Sequence, residues 1–242
     1  MLRRIVGLEP ELVVDGVRYH ARSGEPLRRA LSPTGRGSKE YDAQFPTGER
    51  MRIRVTRRRH FADLLGPGRL DLYRASGNAV RPGLRVLDLA SGTGAGAAWL
   101  AERVGPSGAV VALEEDGASV RYARRRYAAP NIAYEITEER SLEGEPDGAF
   151  DAVFLIASPG SLTDRPDAVR ARLVELPRLL APGGFAHIAS DLADDALAEQ
   201  AERLAETLGG PVTGAGTGPG VIRTIYSENR GSGPGAAYAG GP

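Results

Sequence analysis

The fold class of this chain depends on one stretch, Arg85-Val86-Leu87-Asp88-Leu89-Ala90-Ser91-Gly92-Thr93-Gly94-Ala95-Gly96. An apolar run of strand length leads into small residues and glycines, and a segment of helix length follows. Glycines let the backbone turn sharply and approach a ligand closely, and a helix N-terminus presents N–H groups that lack partners within the helix. The stretch therefore predicts a strand, a ligand-binding loop and a helix, in that order.

From residue 84 onwards, apolar segments of strand length alternate with segments of helix length, which predicts parallel β-α-β units. We predict strands over residues 84–89, 109–114, 132–136, 151–157 and 185–190, and helices over residues 94–103, 117–128, 165–180 and 192–208. The glycine pair at 209–210 is expected to end the last helix, and residues 211–213 and 221–227 to form a closing antiparallel hairpin. The predicted fold class is α/β, a Rossmann-like doubly wound sheet that is mostly parallel with an antiparallel last strand.

The first 81 residues are predicted to form an accessory segment that caps the acceptor site, followed by the main domain over residues 82–229 and a disordered glycine- and alanine-rich tail over residues 230–242. Within the accessory segment, residues 11–19 read as a hairpin turning at Asp15-Gly16. Residues 32–48 look too polar for a core element and are predicted to be a mobile loop. Alternating residues 51–55 predict a strand, residues 57–61 lead into a helix, and residues 70–80 have helical spacing.

Composition excludes several classes of protein. The absence of cysteine removes disulfides, thiolate metal sites and cysteine nucleophiles, and the three histidines lie far apart without the spacing of metal ligands, which favours structural or surface roles over a zinc site. No run approaches the roughly 20 apolar residues that span a bilayer, and the first residues lack the apolar stretch of a signal peptide, so we predict a cytoplasmic protein without a membrane span. The net charge is zero, but residues 1–85 hold 18 basic and 9 acidic residues while the remainder holds 13 and 22.

Two acidic residues narrow the choice of ligand for the glycine loop. Asp88 lies inside the strand end, where a phosphate would be repelled and an amino group attracted, and the Gly-Lys-Ser/Thr of a phosphate-binding loop is missing. Glu114 ends the second strand 20 residues after Gly94, where an acidic side chain can accept both hydroxyls of a ribose. An NAD(P)-dependent oxidoreductase is the alternative enzyme, but its glycines would begin directly after the strand, in the space that Asp88 and Ala90 occupy.

The nine residues 86–94 resemble the first motif of class I S-adenosylmethionine-dependent methyltransferases, usually Val-Leu-Asp-Leu-Gly-Ser/Cys-Gly-Thr-Gly. Ala90 replaces the first glycine, as is common in the branch with the quinone-biosynthesis methyltransferases. Phe150-Asp151-Ala152-Val153 is similar to the family's fourth-strand motif, and Leu179-Leu180-Ala181-Pro182-Gly183-Gly184 is similar to its turn before the fifth strand. The resemblance covers residues 82–190 and implies S-adenosylmethionine as the cofactor.

The resemblance also implies positions around that cofactor. Glu114 matches the acidic ribose ligand. Where relatives carry Gly-Asp-Ala after the third strand, Glu138 is expected to take the adenine amino group and the backbone of Glu139 to meet the ring, although a solvated acidic loop is nearly as well supported. The residues assigned to the cofactor are Asp88, Ala90, Ser91, Gly92, Thr93, Gly94, Glu114, Glu115, Glu138, Glu139 and Ala157.

The methyl acceptor is less well defined, because a direct displacement needs alignment and sometimes a base rather than a fixed motif. Ser158, Ser161 and Asp191 are candidates for the acceptor side, and Tyr41 and His60 are candidate catalytic residues from the accessory segment. The sequence after the fourth strand lacks the Asn/Asp-Pro-Pro-Tyr/Phe of branches that methylate adenine or glutamine amides.

The arginines between residues 50 and 59 fit either an anionic acceptor or a solvated face. We expect a small-molecule acceptor, with no metal and with a homodimer left open. Nucleic acid is disfavoured because the chain is neutral overall and few aromatic residues lie near the arginines. An RNA methyltransferase and a non-catalytic relative that binds the cofactor without turnover are the remaining alternatives.

Overall fold

The computed structural model describes residues 11–21, 38–56, 70–138, 142–157, 174–190, 195–213 and 221–227. Their strands are β1 (Glu11–Val14), β2 (Val17–Ala21), β3 (Ser38–Gln44), β4 (Arg50–Thr56), β5 (Arg85–Leu89), β6 (Ala109–Glu114), β7 (Ile132–Ile136), β8 (Phe150–Ala157), β9 (Leu180–Ser190), β10 (Gly209–Thr213) and β11 (Val221–Ser227). Their α-helices are α1 (Leu70–Arg74), α2 (Ala95–Val104), α3 (Gly117–Arg126) and α4 (Asp195–Leu208), and residues 174–179 are also helical.

The main sheet has the strand order β10-β11-β9-β8-β5-β6-β7. Strands β5 to β9 pair in parallel, while β11 pairs antiparallel with β9 and β10 antiparallel with β11. From β5 the chain adds β6 and β7 on one side and then returns to add β8 on the other side of β5. The order in which strands are added therefore reverses at β5. In open α/β sheets, ligands bind in the crevice that such a reversal opens at the carboxyl ends of the strands.

Helices cover both faces of this sheet, as buried parallel strands require. On one face, α1, α2 and α3 pack through Tyr73, Leu100 and Val120 against residues of β5 to β9. On the other face, the helical residues 174–179 and α4 contribute Leu176 and Leu204 to a second core cluster. The prediction of a doubly wound, mostly parallel α/β sheet with an antiparallel last strand is confirmed.

A separate antiparallel sheet in the order β1-β2-β3-β4 precedes the main domain. Asp15 and Gly16 have φ angles of 48° and 79° and form the tight turn between β1 and β2 that the sequence predicted. The inner face of this sheet packs on α3, where the hydroxyls of Tyr19 and Tyr122 are 2.6 Å apart. The guanidinium of Arg126 donates to Asp15 over 2.6 Å, so the turn itself is tied to the helix.

Two predictions for the accessory segment need correction. Residues 38–44, predicted to belong to a mobile loop, form β3, in which Tyr41 and Ala43 are buried and the alternate polar residues Glu40, Asp42 and Gln44 are half-buried. The helix predicted over residues 70–80 ends at Arg74, and a 3₁₀ turn at Gly77–Ala79, in which Gly77 has a φ angle of 60°, takes the place of its second half. The helix predicted from residue 57 and the tail predicted from residue 230 lie outside the described residues.

The remaining boundaries agree closely with the prediction. Strands β6 and β7 have the predicted limits, and α2 and β8 differ from them by one residue at most at either end. Strand β9 begins at Leu180 rather than at residue 185, with a register shift against β8 where the Pro-Gly-Gly sequence passes. Within the described part of the chain, none of the helices has the length and apolar character that crossing a bilayer requires.

Candidate functional site

The glycine loop begins where β5 ends and leads directly into α2. Three alternate residues, Ala90, Gly92 and Gly94, have positive φ angles of 58°, 59° and 89°. The N–H of Ser91 donates to the carbonyl of Leu113 over 2.9 Å, which fastens the loop to the end of β6. Ala90 is the one loop residue with a side chain in the left-handed region, where the family motif has glycine.

The start of α2 suits an anionic group. Its N-cap residue is Gly94, which has no side chain to bond the free N–H groups of the first turn. A carboxylate such as that of a methionine moiety would find both N–H donors and the positive end of the helix dipole there.

A buried hydroxyl in the loop also indicates a ligand. Thr93 is 6% exposed, and its Oγ1 has no hydrogen-bond partner among the described residues. Buried polar atoms are generally satisfied, so an unpaired one beside a helix N-terminus is consistent with a polar group that arrives with the cofactor. The residues present therefore fit an adenosyl amino acid at this loop.

Glu114 connects the tip of β6 with the glycine loop. One carboxylate oxygen accepts the N–H of Gly92 over 2.8 Å, and the other accepts the N–H groups of Glu115 and Asp116 over 2.9 and 3.1 Å. A carboxylate has about four lone-pair positions, so three backbone donors leave acceptor capacity at the oxygen that faces Gly92. The three backbone donors fix the orientation of the carboxylate. Its contact with ribose hydroxyls stays a prediction.

Asp116 has a different role from Glu114, although both follow β6. Its carboxylate accepts the N–H groups of Ala118 and Ser119 and the hydroxyl of Ser119, and it therefore caps α3. Glu115, which we assigned to the cofactor, lies between the two and is half-buried. Glu114, the last residue of β6, thus binds the glycine loop, whereas Asp116, two residues further on, caps the helix that follows.

Asp88 is fully buried beneath the loop. The hydroxyl of Tyr73 lies 3.0 Å from both carboxylate oxygens and shares its proton between them. The ring of Tyr134, on β7, lies close enough that the Asp88 charge adds to burial in raising the pKa of the Tyr134 phenol. The sequence placed Asp88 at the site but did not indicate Tyr73, which lies within the segment predicted only as a helix over residues 70–80.

The residues after β7 lie next to the same site. The N–H of Thr137 donates to the carbonyl of Glu114 over 3.0 Å, and the Thr137 hydroxyl is buried without a partner among the described residues. Glu138 is exposed, and Glu139 lies outside the described residues. Ala157 ends β8. Thr137 is not among the residues that the sequence assigned to the cofactor, and its unpaired hydroxyl makes it an additional candidate.

The other predicted site residues have different outcomes. Tyr41 is 1% exposed in the core of the four-stranded sheet, and burial raises its pKa to about 12. A phenol so placed packs in the core of that sheet, and the expectation that Tyr41 is catalytic stays a prediction. The remaining candidates, His60, Ser158, Ser161 and Asp191, lie outside the described residues.

The doubly wound sheet has the fold of S-adenosylmethionine-dependent methyltransferases of known structure, and the glycine loop after β5 and the acidic tip of β6 lie where the resemblance to class I methyltransferases predicted them. Residues 86–184 match the family model described as a methyltransferase domain. The assignment by resemblance is confirmed for this part of the chain.

Relatives in two bacteria match somewhat less than half of the chain. Over 111 residues it is 37% identical to the ubiquinone/menaquinone biosynthesis C-methyltransferase UbiE of Pseudomonas fluorescens, a match that covers 44% of this chain and 41% of that enzyme. The enzyme of the same name from Hydrogenovibrio crunogenus is also 37% identical over 111 residues, which are 44% of this chain and 42% of that protein. The match thus spans about two fifths of the length of these relatives.

A solved structure shares the fold. The TehB-like S-adenosylmethionine-dependent methyltransferase from Corynebacterium glutamicum superposes with a TM-score of 0.51 at 17% identity, covering 70% of this chain and 93% of that one. At this level of identity the likeness establishes the fold alone.

Proposed function

We propose that this chain transfers a methyl group from S-adenosylmethionine to a small-molecule acceptor. The observation that carries the proposal is the fastening of the glycine loop to the β6 tip, in which the Glu114 carboxylate holds the Gly92 N–H over 2.8 Å. This contact links the residue expected to bind ribose directly to the loop expected to bind the amino acid. When bound, the cofactor supplies an electrophilic methyl on a sulfonium sulfur.

In this proposal, different residues of the chain bind different parts of the cofactor. The first turn of α2 takes the carboxylate, Asp88 favours the ammonium group from beneath the loop, Glu114 takes the ribose hydroxyls, and Thr137 and Glu138 lie on the adenine side. In the reaction the acceptor forms a bond to the methyl carbon, the sulfur keeps the electron pair of the broken bond, and the acceptor gives up a proton to a base or to water.

A neutral or anionic small molecule is the acceptor class that we favour over RNA. In the register of β3 and β4, Arg52 lies opposite Asp42 and Arg54 lies opposite Glu40, so basic positions of β4 alternate with acidic positions of β3. Such an arrangement supports a solvated, charge-balanced face better than a basic track for a polynucleotide. The relatives named above are C-methyltransferases of quinone biosynthesis, which makes phenolic and quinone-like rings the first acceptors to test. The homodimer and the cytoplasmic location stay predictions.

Calorimetric titration tests the cofactor part of the proposal. The protein should bind S-adenosylhomocysteine, the demethylated cofactor, and should not bind NADH at comparable concentration. Glu114→Ala should weaken the binding at least tenfold, because it removes the acceptor of the Gly92 N–H together with the ribose ligand. Glu102→Ala, which removes an exposed acid of α2, is the matched control and should leave binding unchanged.

Binding of NADH without S-adenosylhomocysteine would replace the proposal with the oxidoreductase alternative. The transfer itself is tested by incubating the protein with methyl-labelled cofactor and a panel of phenols, amines and quinone precursors, and by detecting labelled product with mass spectrometry. Tight cofactor binding with no transfer to any acceptor would favour a non-catalytic relative.

A further inference from the structure

One tyrosine makes contact with the buried acid beneath the glycine loop. The Tyr73 hydroxyl lies on the bisector of the Asp88 carboxylate, 3.0 Å from each oxygen. Tyr73 is 4% exposed and Asp88 is 0% exposed, so water does not compete for this hydrogen bond. A buried carboxylate without a donor would be strongly destabilising, and a phenol O–H that favours the ionised form offsets part of that cost.

The position of Tyr73 is fixed from two sides. Its ring stacks on Phe154 of β8, with the centroids 5.8 Å apart and the planes 10° from parallel. The carbonyl of the preceding Leu72 accepts a hydrogen bond of 2.8 Å from Nε2 of His187 on β9. The short helix α1 is therefore pinned to two neighbouring strands of the main sheet, and the phenol is not free to turn away from Asp88.

The same phenol supports the helix that follows the glycine loop. A Cβ atom built on Gly96 would lie 2.1 Å from Cζ and 2.6 Å from the hydroxyl oxygen of Tyr73. The tip of the phenol is thus in contact with the backbone of the first turn of α2, between that turn and Asp88. The Tyr73 side chain therefore supports both the position of the first turn of α2 and the orientation of the Asp88 carboxylate.

We propose that Tyr73 is a positioning residue for the amino-acid end of the cofactor, acting through Asp88 and the first turn of α2. This inference rests on the proposed function, since it assumes that the loop binds S-adenosylmethionine. It assigns to α1, outside the glycine motif, a part in selecting ligands that carry an ammonium and a carboxylate.

The variant Tyr73→Phe tests the proposal because it keeps the ring on Phe154 and over Gly96 and removes only the O–H. The probes are S-adenosylhomocysteine and 5′-methylthioadenosine, which lacks the amino-acid end. We expect the affinity for S-adenosylhomocysteine to fall about tenfold and that for 5′-methylthioadenosine to change less than twofold. Tyr226→Phe is the matched control, because Tyr226 packs beside Phe185 in the same apolar cluster and should affect neither ligand.

A double-mutant cycle with Asp88→Asn shows whether Tyr73 acts through Asp88. In the Asp88→Asn background, Tyr73→Phe should change the affinity for S-adenosylhomocysteine less than twofold. Equal losses for both ligands in Tyr73→Phe, or no loss for either, would overturn the inference while leaving the proposed function intact. If the unaltered protein fails to bind S-adenosylhomocysteine, the proposed function fails first. Should Asp88→Asn not fold, the comparison of the two ligands still decides.

Discussion

Gly94 lies at the point where the glycine loop, α3 and β7 come together. Its φ angle is 89°, and an added Cβ would lie 2.6 Å from Cβ of Ala123 and 2.9 Å from Cε1 of Tyr134. Both the backbone conformation and the available space therefore require glycine. Gly48 has nearly the same φ angle of 85°, but no atom lies within 4 Å of the position that its Cβ would take.

Substituting these two glycines measures backbone strain separately from overpacking, because only at Gly94 would an added Cβ collide with other atoms. Gly48→Ala should lower the free energy of unfolding by about 1–2 kcal/mol through the left-handed conformation alone. Gly94→Ala adds the collision with two buried side chains and should cost about 2–5 kcal/mol in total, with loss of cofactor binding. Urea unfolding of both variants gives the comparison, and equal losses would mean that the loop has room for a methyl group.

The Glu114 side chain gives a prediction about the sugar of the ligand. If its remaining lone pair accepts a ribose hydroxyl, the protein should bind 5′-methylthioadenosine more tightly than the 2′-deoxy analogue. Glu114→Gln keeps the shape of the side chain and presents a neutral amide, so this preference should shrink by about tenfold. Calorimetry with the two compounds measures it. A preference for the ribose form that survives the substitution would show that Glu114 only anchors the loop.

At the scale of elements, the strands of the main sheet could be predicted because each is a short apolar run between turn residues. β5 is buried at four consecutive positions, as a central parallel strand should be. β3 could not be predicted in this way, since Ser38–Gln44 is mostly polar and only Tyr41 and Ala43 mark its inner face. Its stability comes from neighbours on β2 and β4, which local sequence does not reveal.

The residues of the site likewise fall into those that local sequence predicts and those that only long-range packing brings together. The loop residues and Glu114 follow from motifs and from spacing along one β-α-β unit. The contact of Tyr73 with Asp88 and that of His187 with Leu72 join residues 15 and 115 positions apart through the packing of α1 on the sheet. No periodic pattern encodes such contacts, so they had to be read from the structure.

The link between α1 and β9 predicts a pH dependence of stability. His187 is fully buried, with Nε2 bonded to the Leu72 carbonyl and Nδ1 to the Thr224 hydroxyl, and burial lowers its pKa to about 4. Between pH 6.5 and about 4, His187 is protonated in the unfolded chain but stays neutral in the folded protein. The free energy of unfolding therefore falls as the pH falls through this window. The loss from this group should be about 2 kcal/mol between pH 7.5 and 5.

Urea unfolding at those two pH values measures the effect, with His187→Gln as the comparison. Glutamine can offer one donor and one acceptor but does not titrate, so the variant should be less sensitive to the pH change by about 2 kcal/mol. Parallel pH profiles in the two proteins would show that His187 is protonated in the folded state or that α1 opens before the protein unfolds.

At the scale of the whole molecule, two sheets meet at one helix. The amino half of α3 follows the acidic tip of β6, whereas its carboxyl half carries the four-stranded sheet. Arg125 donates to Glu49 over 2.6 Å and to Thr47 over 2.9 Å, and its guanidinium lies 4.8 Å from the Phe45 ring centroid. Tyr122 is fully buried in the cluster of the four-stranded sheet and not in the core of the main sheet. The helix is thus shared, but its buried side chains are divided between two cores.

This division predicts that the four-stranded sheet can be loosened without unfolding the main domain. Tyr122→Ala removes a buried ring and the partner of the Tyr19 hydroxyl, a change of the kind that costs about 3–5 kcal/mol. Hydrogen exchange followed by mass spectrometry should show faster exchange in residues 11–21 and 38–56, while peptides from β5, β6 and β8 keep their protection. Arg121→Ala, an exposed change on the same helix, should alter neither region. Faster exchange in both sheets together would instead mean that they unfold as one cooperative unit, and α3 would then transmit events at the glycine loop to the whole chain.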